Sequence, residues 1–158
     1  MAVTPRAGFG QPVYRPKVLY VVESSNPRAG RGEIIARPVA IWDYLREKKI
    51  AADEIAVYTQ TKVLPDEAER VSALSDLEAR HRHIICNRAL QEGWDDPEAY
   101  VEYFDDESSS YTRIAQIIGR ALRQPGAQHF ADDDLNTAYL YVRVANKTFQ
   151  GDCRRAQA

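Results

Sequence analysis

The sequence predicts an α/β fold in which an open, parallel sheet of about five strands carries helices on both faces. Short, continuous apolar runs recur along the chain, as is typical of strands buried on both faces. Stretches with apolar residues three and four positions apart lie between these runs, as in helices that pack on a sheet. The 158 residues are 44% hydrophobic, which is enough for one domain to form a core without disulfides or a metal.

The predicted strands are the five apolar runs at 17–23, 55–59, 83–87, 100–104 and 137–144. Residues 1–16 contain three prolines and two glycines and predict a linker. The domain is therefore expected at 17–147, followed by a polar tail at 148–158.

Three stretches between the strands have helical spacing, namely 33–49, 66–80 and 111–125. Pro65 and the acidic residues after it are typical of a helix start, which favours a helix at 66–80. Val71, Leu74 and Leu77 are expected on the inner face of that helix. Its first residues read Asp-Glu-Ala-Glu but do not end an apolar strand, so we interpret them as an ordinary acidic helix start.

Composition argues against several protein classes. No apolar run approaches the length of a membrane span, and the first residues lack the apolar core of a signal peptide, so a cytoplasmic protein is expected. Cys86 and Cys153 differ too much in setting for a disulfide framework. His81, His83 and His129 are too scattered for a zinc site and are expected on the surface or in loops. The net charge of −2 argues against a dedicated nucleic-acid-binding module, unless few contacts in a shared cleft hold the partner.

The stretch 111–125 carries the first functional signal. Its apolar residues share one helical face, and Arg120 and Arg123 lie about one turn apart, so two guanidinium groups could bind one polyanion. Gln116 and Gly119 complete a Gln-x-x-Gly-Arg-x-x-Arg pattern. The alternative interpretation is a solvated basic face.

The second signal is the stretch 84–97, where a strand, a short turn and a Gly-x-Asp step follow one another. This pattern predicts Gly93 and Asp95 at the carboxyl edge of the sheet, where open α/β folds bind ligands. The alternative is that Gly93 merely permits a turn that Asp95 caps.

Both stretches resemble motifs of one protein family. Gln116-x-x-Gly119-Arg120-x-x-Arg123 resembles the last conserved motif of superfamily 2 helicases of the DEAD/DEAH type. Ala89 to Asp95, followed by Pro97, resembles the Ala-Leu-Gln-Glu-Gly-Trp-Asp-x-Pro motif of type III restriction enzyme Res subunits and their helicase relatives. The resemblance implies the C-terminal RecA-like domain of such a helicase, a P-loop NTPase-like fold.

The family assigns roles at the matched positions. Arg120 and Arg123 would act as arginine fingers on the terminal phosphate of ATP, with Gln116 beside the nucleotide. Asp95 would contact the ribose of ATP, and Gly93 would let the backbone approach the nucleotide. The resemblance also implies contacts to the nucleic-acid backbone from Ser24, Asn87, Arg88 and Ala89.

The features of the family that this chain lacks imply that it is one half of a two-domain helicase motor. The chain has no Gly-x-x-x-x-Gly-Lys-Ser/Thr loop, so ATP and Mg²⁺ would be held by a missing N-terminal RecA-like domain, and this chain alone would be inactive. The expected partners are that domain, DNA with RNA left open, and a modification or specificity subunit. One alternative is a degenerate helicase half that serves as a nucleic-acid-binding or docking scaffold. Another is an unrelated nucleotide-binding α/β domain, but that would need a glycine-rich turn after the first strand, which residues 22–27 do not provide.

Overall fold

The computed structural model of the protein describes residues 16–22, 37–59, 64–87, 96, 98–99, 101–105, 131 and 133–143. Within them lie six strands and one α-helix: β1 (Val18–Val22), α1 (Arg37–Glu47), β2 (Ile55–Tyr58), β3 (Glu69–Arg70), β4 (His83–Cys86), β5 (Val101–Asp105) and β6 (Tyr139–Arg143). Short 3-10 turns occupy Ala52–Glu54, Leu74–Asp76 and Asp133–Asn136. No helix in this part of the chain is long and apolar enough to cross a membrane.

The six strands form one sheet in the order β3-β2-β4-β1-β5-β6, and every neighbouring pair is parallel. This confirms the predicted open parallel sheet, and all five predicted strands are present with ends shifted by at most two residues. The sheet has one strand more than expected, because Glu69 and Arg70 pair with Ala56 and Val57 of β2.

The predicted helix at 66–80 is wrong. Its residues instead form a turn, the two-residue strand β3 and a 3-10 turn. The backbone N–H of Val71 donates to the carbonyl of Val57, which extends the pairing with β2. Further on, the carboxylate of Asp76 accepts hydrogen bonds from the backbone N–H groups of Ser72 and Ala73. Pairing with an existing strand therefore outweighs the helical spacing of the apolar residues.

α1 lies within the helix predicted at 33–49, and residues 33–36 lie outside the described ranges. Pro38, Trp42 and Leu45 follow at steps of four and three residues, and all three are buried. The helix ends at Glu47, after which the guanidinium of Arg46 donates to the carbonyl of Ile50 at 2.7 Å. The amphipathic spacing thus orients α1 with one face on the sheet.

The sheet buries apolar residues on both faces. The α1 face packs Trp42 and Leu45 against a cluster of strand residues, Val22, Ile55, Val57 and Ile85. The opposite face holds a second cluster, Leu19, Val21, Ile84, Cys86 and Phe104. The helix predicted at 111–125 lies outside the described residues, so the expectation of helices on both faces stays a prediction.

Candidate functional site

All six strands run in the same direction, so their carboxyl ends lie along one edge of the sheet. The chain leaves β1 towards β2 on one side, whereas it leaves β4 towards β5 and β5 towards β6 on the other. Connections that diverge in this way open a crevice at the carboxyl edge, where open α/β proteins bind ligands. The candidate site is therefore the carboxyl edge around β1, between β4 and β5.

Asn87 is the one predicted site residue within the described ranges. It follows β4 directly, only 7% of its surface is exposed, and its backbone N–H donates to the carbonyl of Tyr58 at 3.3 Å. Its position at the carboxyl edge beside β1 agrees with the sequence-based expectation, but its burial leaves little side-chain surface for a ligand.

The other predicted site residues fall outside the described residues. The structure therefore neither brings them together nor separates them, and their roles stay predictions. They are Ser24, Arg88, Ala89, Gly93, Asp95, Gln116, Arg120 and Arg123.

An ion pair that the sequence analysis did not find lies at the same edge. Nη1 of Arg37, the first residue of α1, lies 2.8 Å from Oδ1 of Asp105, the last residue of β5. The hydroxyl of Tyr103 donates to Oδ2 of Asp105 at 3.4 Å. Asp105 is 5% exposed and sits in register with Val22 at the end of β1. The pair thus ties α1 to the strand ends that flank the crevice.

A polar residue at the end of an apolar strand was the available signal for this pair. The sequence pattern predicted the strand at 100–104 and assigned Asp105 to the loop that follows it. It also gave no partner for Arg37, which is 68 positions away from Asp105. Sequence spacing cannot show such a contact, because the two residues meet only when β1, β5 and α1 are assembled.

The opposite, amino edge carries a second charged cluster. Nζ of Lys17 lies 2.7 Å from Oδ2 of Asp96 and 3.2 Å from Oε2 of Glu98. Burial by itself would lower the pKa of Lys17, but hydrogen bonds and charge attraction from the two carboxylates outweigh it, so the pKa lies above its usual 10.5.

This contact fixes one end of the second motif region. The chain leaves β4 at the carboxyl edge after Asn87 and is found at the amino edge again at Asp96. Asp96 directly follows the Gly-x-Asp step and lies at the amino edge. Its position therefore does not support the prediction that this step lies at the carboxyl edge. Gly93 and Asp95 themselves lie outside the described residues.

His81 is fully buried, so the prediction that the histidines lie on the surface or in loops is wrong for this residue. Its Nδ1 accepts the backbone N–H of Glu78 at 2.9 Å, so the ring proton of the neutral form lies on Nε2. That Nε2 lies 3.1 Å from Oε1 of Glu69, although their alignment is too poor for a good hydrogen bond. Arg80 contacts both carboxylate oxygens of Glu69 at 2.7 Å. The cluster joins β3 to the residues before β4, at the amino edge and away from the candidate site.

His83 is partly buried on the α1 face. Burial, together with the charge of Arg82, lowers its pKa to about 4, whereas burial raises the pKa of Tyr20 to about 12. Both groups are therefore neutral at pH 7, and the Tyr20 hydroxyl and Nδ1 of His83 share a hydrogen bond of 3.1 Å. His129 lies outside the described residues.

Within the described ranges, no group of three or more His, Cys, Asp or Glu residues is placed to hold a metal ion. Comparison with protein-family models, curated protein sequences and solved structures finds no match to this chain. The functional assignment therefore depends on the motifs and on the geometry of the sheet.

Proposed function

We propose that this chain is the C-terminal RecA-like domain of a superfamily 2 helicase or translocase acting on DNA, most similar to the Res subunit of a type III restriction enzyme. The observation that carries the proposal is the position of Asn87. It stands at the carboxyl end of β4, next to the central strand β1 of an all-parallel sheet. In the sequence, the Ala89-to-Pro97 motif starts two residues after Asn87, and open α/β folds bind their ligands at the carboxyl edge where Asn87 lies.

In this proposal the chain supplies half of an ATPase site. A preceding RecA-like domain holds ATP and Mg²⁺, and Arg120 and Arg123 stabilise the charge that develops on the transferred phosphoryl group. Gln116, Gly93 and Asp95 line the nucleotide, and Ser24 and the residues from Asn87 to Ala89 contact the nucleic-acid backbone. Closure of the two domains on ATP, followed by opening after hydrolysis, then moves the pair along the strand.

The test is DNA-stimulated ATP hydrolysis by the full-length protein that contains this chain. Arg120→Ala and Arg123→Ala should each reduce kcat by about 10³-fold or more, the usual effect of losing an arginine finger. Arg113→Ala is the matched control, because Arg113 has the same charge in the same predicted helix but lies outside the motif. Turnover close to wild type in both finger variants contradicts the proposal. Wild-type protein that binds DNA but hydrolyses no ATP would favour the scaffold instead.

A further inference from the structure

The Arg37–Asp105 pair joins two elements that the apolar packing under α1 does not join. α1 packs against residues of β1, β2 and β4, and in the described part of the chain its apolar cluster includes no residue of β5. Arg37 nevertheless reaches past the end of β1 to the last residue of β5. Its Nη1 lies 2.8 Å from Oδ1 of Asp105 and 3.4 Å from the main-chain oxygen of the same residue. The contact therefore fixes the main chain at the end of β5 as well as the side chain.

This contact lies at the candidate site. The crevice of the carboxyl edge opens at β1, because the connection that contains α1 leaves towards β2, whereas the chain leaves β4 and β5 towards the other side of the sheet. Arg37 is the first residue of α1, and Asp105 is the last residue of β5. The pair therefore sets the distance between α1 and β5 where the crevice opens.

Stability alone is a poor explanation for such a pair. The side chains of Asp105 and Arg37 are only 7% and 26% exposed. Removing two charges from water costs about as much as their attraction returns, so an apolar pair of similar volume is often equally stable. Loss of one partner is costly, because the other charge then stays buried without compensation. What the ion pair adds is a directed hydrogen bond that fixes α1 relative to β5.

We infer that Arg37 and Asp105 are positioning residues, which set the geometry of the carboxyl edge for ATP hydrolysis without contacting the nucleotide. This inference rests on the proposed function, in which the preceding domain holds ATP. A shift of α1 relative to β5 would then change how this chain meets the phosphates, but not how tightly ATP binds. Because a misplacement of about 1 Å can cost roughly 100-fold in rate, loss of the pair should lower kcat by about 10- to 100-fold. The KM for ATP should change by less than about 2-fold.

The test replaces both partners together in the full-length protein, as Arg37→Met with Asp105→Leu. Both new side chains are apolar, so the urea unfolding midpoint should stay at or above that of the wild type, while kcat falls. The matched control is Arg80→Met with Glu69→Met. This second pair also joins an arginine to a carboxylate of another element, at 2.7 Å, but it lies at the amino edge. The control should hydrolyse ATP with the kcat of the wild type.

Arg37→Gln is a second variant that decides the question if the double variant does not fold. Its shorter, uncharged side chain cannot replace the guanidinium, so its kcat should also fall by about 10-fold or more. Three results overturn the inference: wild-type kcat in the folded double variant or in Arg37→Gln, a loss that appears in the KM for ATP instead of kcat, or an equal loss of kcat in the amino-edge control.

The finger variants separate this inference from the proposed function. If Arg120→Ala and Arg123→Ala lower kcat but loss of the Arg37–Asp105 pair does not, only the positioning role is wrong. If neither finger variant lowers kcat, the proposed function fails and the positioning role fails with it.

Discussion

The Tyr20–His83 pair predicts how the stability of this protein depends on pH. The folded state lowers the pKa of His83 from 6.5 to about 4, chiefly by burial. Below pH 6.5 the unfolded chain takes up a proton on this residue that the folded chain does not. The free energy of unfolding should therefore fall as the pH drops from about 6.5 and level off below about 4.

The magnitude follows from the two pKa values. Between pH 7 and pH 5, a shift of this size lowers the free energy of unfolding by about 2 kcal/mol. His83 is only partly buried, so solvent screening reduces the expected change to roughly 1 kcal/mol. Urea unfolding followed by far-UV circular dichroism at both pH values measures it.

Two variants separate the titration from the hydrogen bond. His83→Gln keeps a hydrogen-bonding side chain for Tyr20 but cannot take up the proton, so its pH difference should be smaller than that of the wild type by roughly 1 kcal/mol. Tyr20→Phe should lose about 1 kcal/mol at both pH values and keep most of the pH difference, because burial is the main cause of the shift. Equal pH differences in the wild type and His83→Gln would refute the reasoning.

Two further predictions concern the carboxyl edge and the core. Arg37→Ala leaves the buried carboxylate of Asp105 without its guanidinium and should lower the free energy of unfolding by about 2 kcal/mol in urea titrations. Arg37→Lys should retain part of that stabilisation. An unchanged unfolding midpoint would show that the pair contributes nothing. Burial, with a smaller effect of Glu102, raises the pKa of the Cys86 thiol, which should therefore react slowly in the folded chain. In a Cys153→Ser background at pH 8, Cys86 should react with a disulfide reagent at least about 100-fold more slowly in the folded chain than in urea. Comparable rates in the two states would contradict its burial.

The sheet could be predicted from the sequence because its strands are apolar runs bounded by polar residues. These runs indicate strands from their local pattern alone, as those that contain Leu19, Ile55, Ile84 and Phe104 do. β3 could not be predicted in this way, because Glu69 and Arg70 have no apolar pattern and pair only because β2 offers a free edge. Local propensity therefore failed where tertiary pairing determines the structure.

The same distinction between local pattern and tertiary contact applies to the residues of the candidate site and its surroundings. Asn87 was predictable because it follows directly on a strand, and its position is confirmed at the carboxyl edge. The Arg37–Asp105 pair and the burial of His81 could not be predicted, because each depends on a partner from another element. Arg120, Arg123, Gly93 and Asp95 remain predictions from the motifs.

The central position of β1 also constrains when the sheet can assemble. β1 is the first of the described strands, yet its neighbours are β4 and β5, so Val18 pairs with His83 and Val101, 65 and 83 positions later. During synthesis β1 therefore has neither of these partners until β4 has been made. Such non-local pairing makes folding slow, and until β4 arrives the apolar residues of β1 are available to other chains and to chaperones.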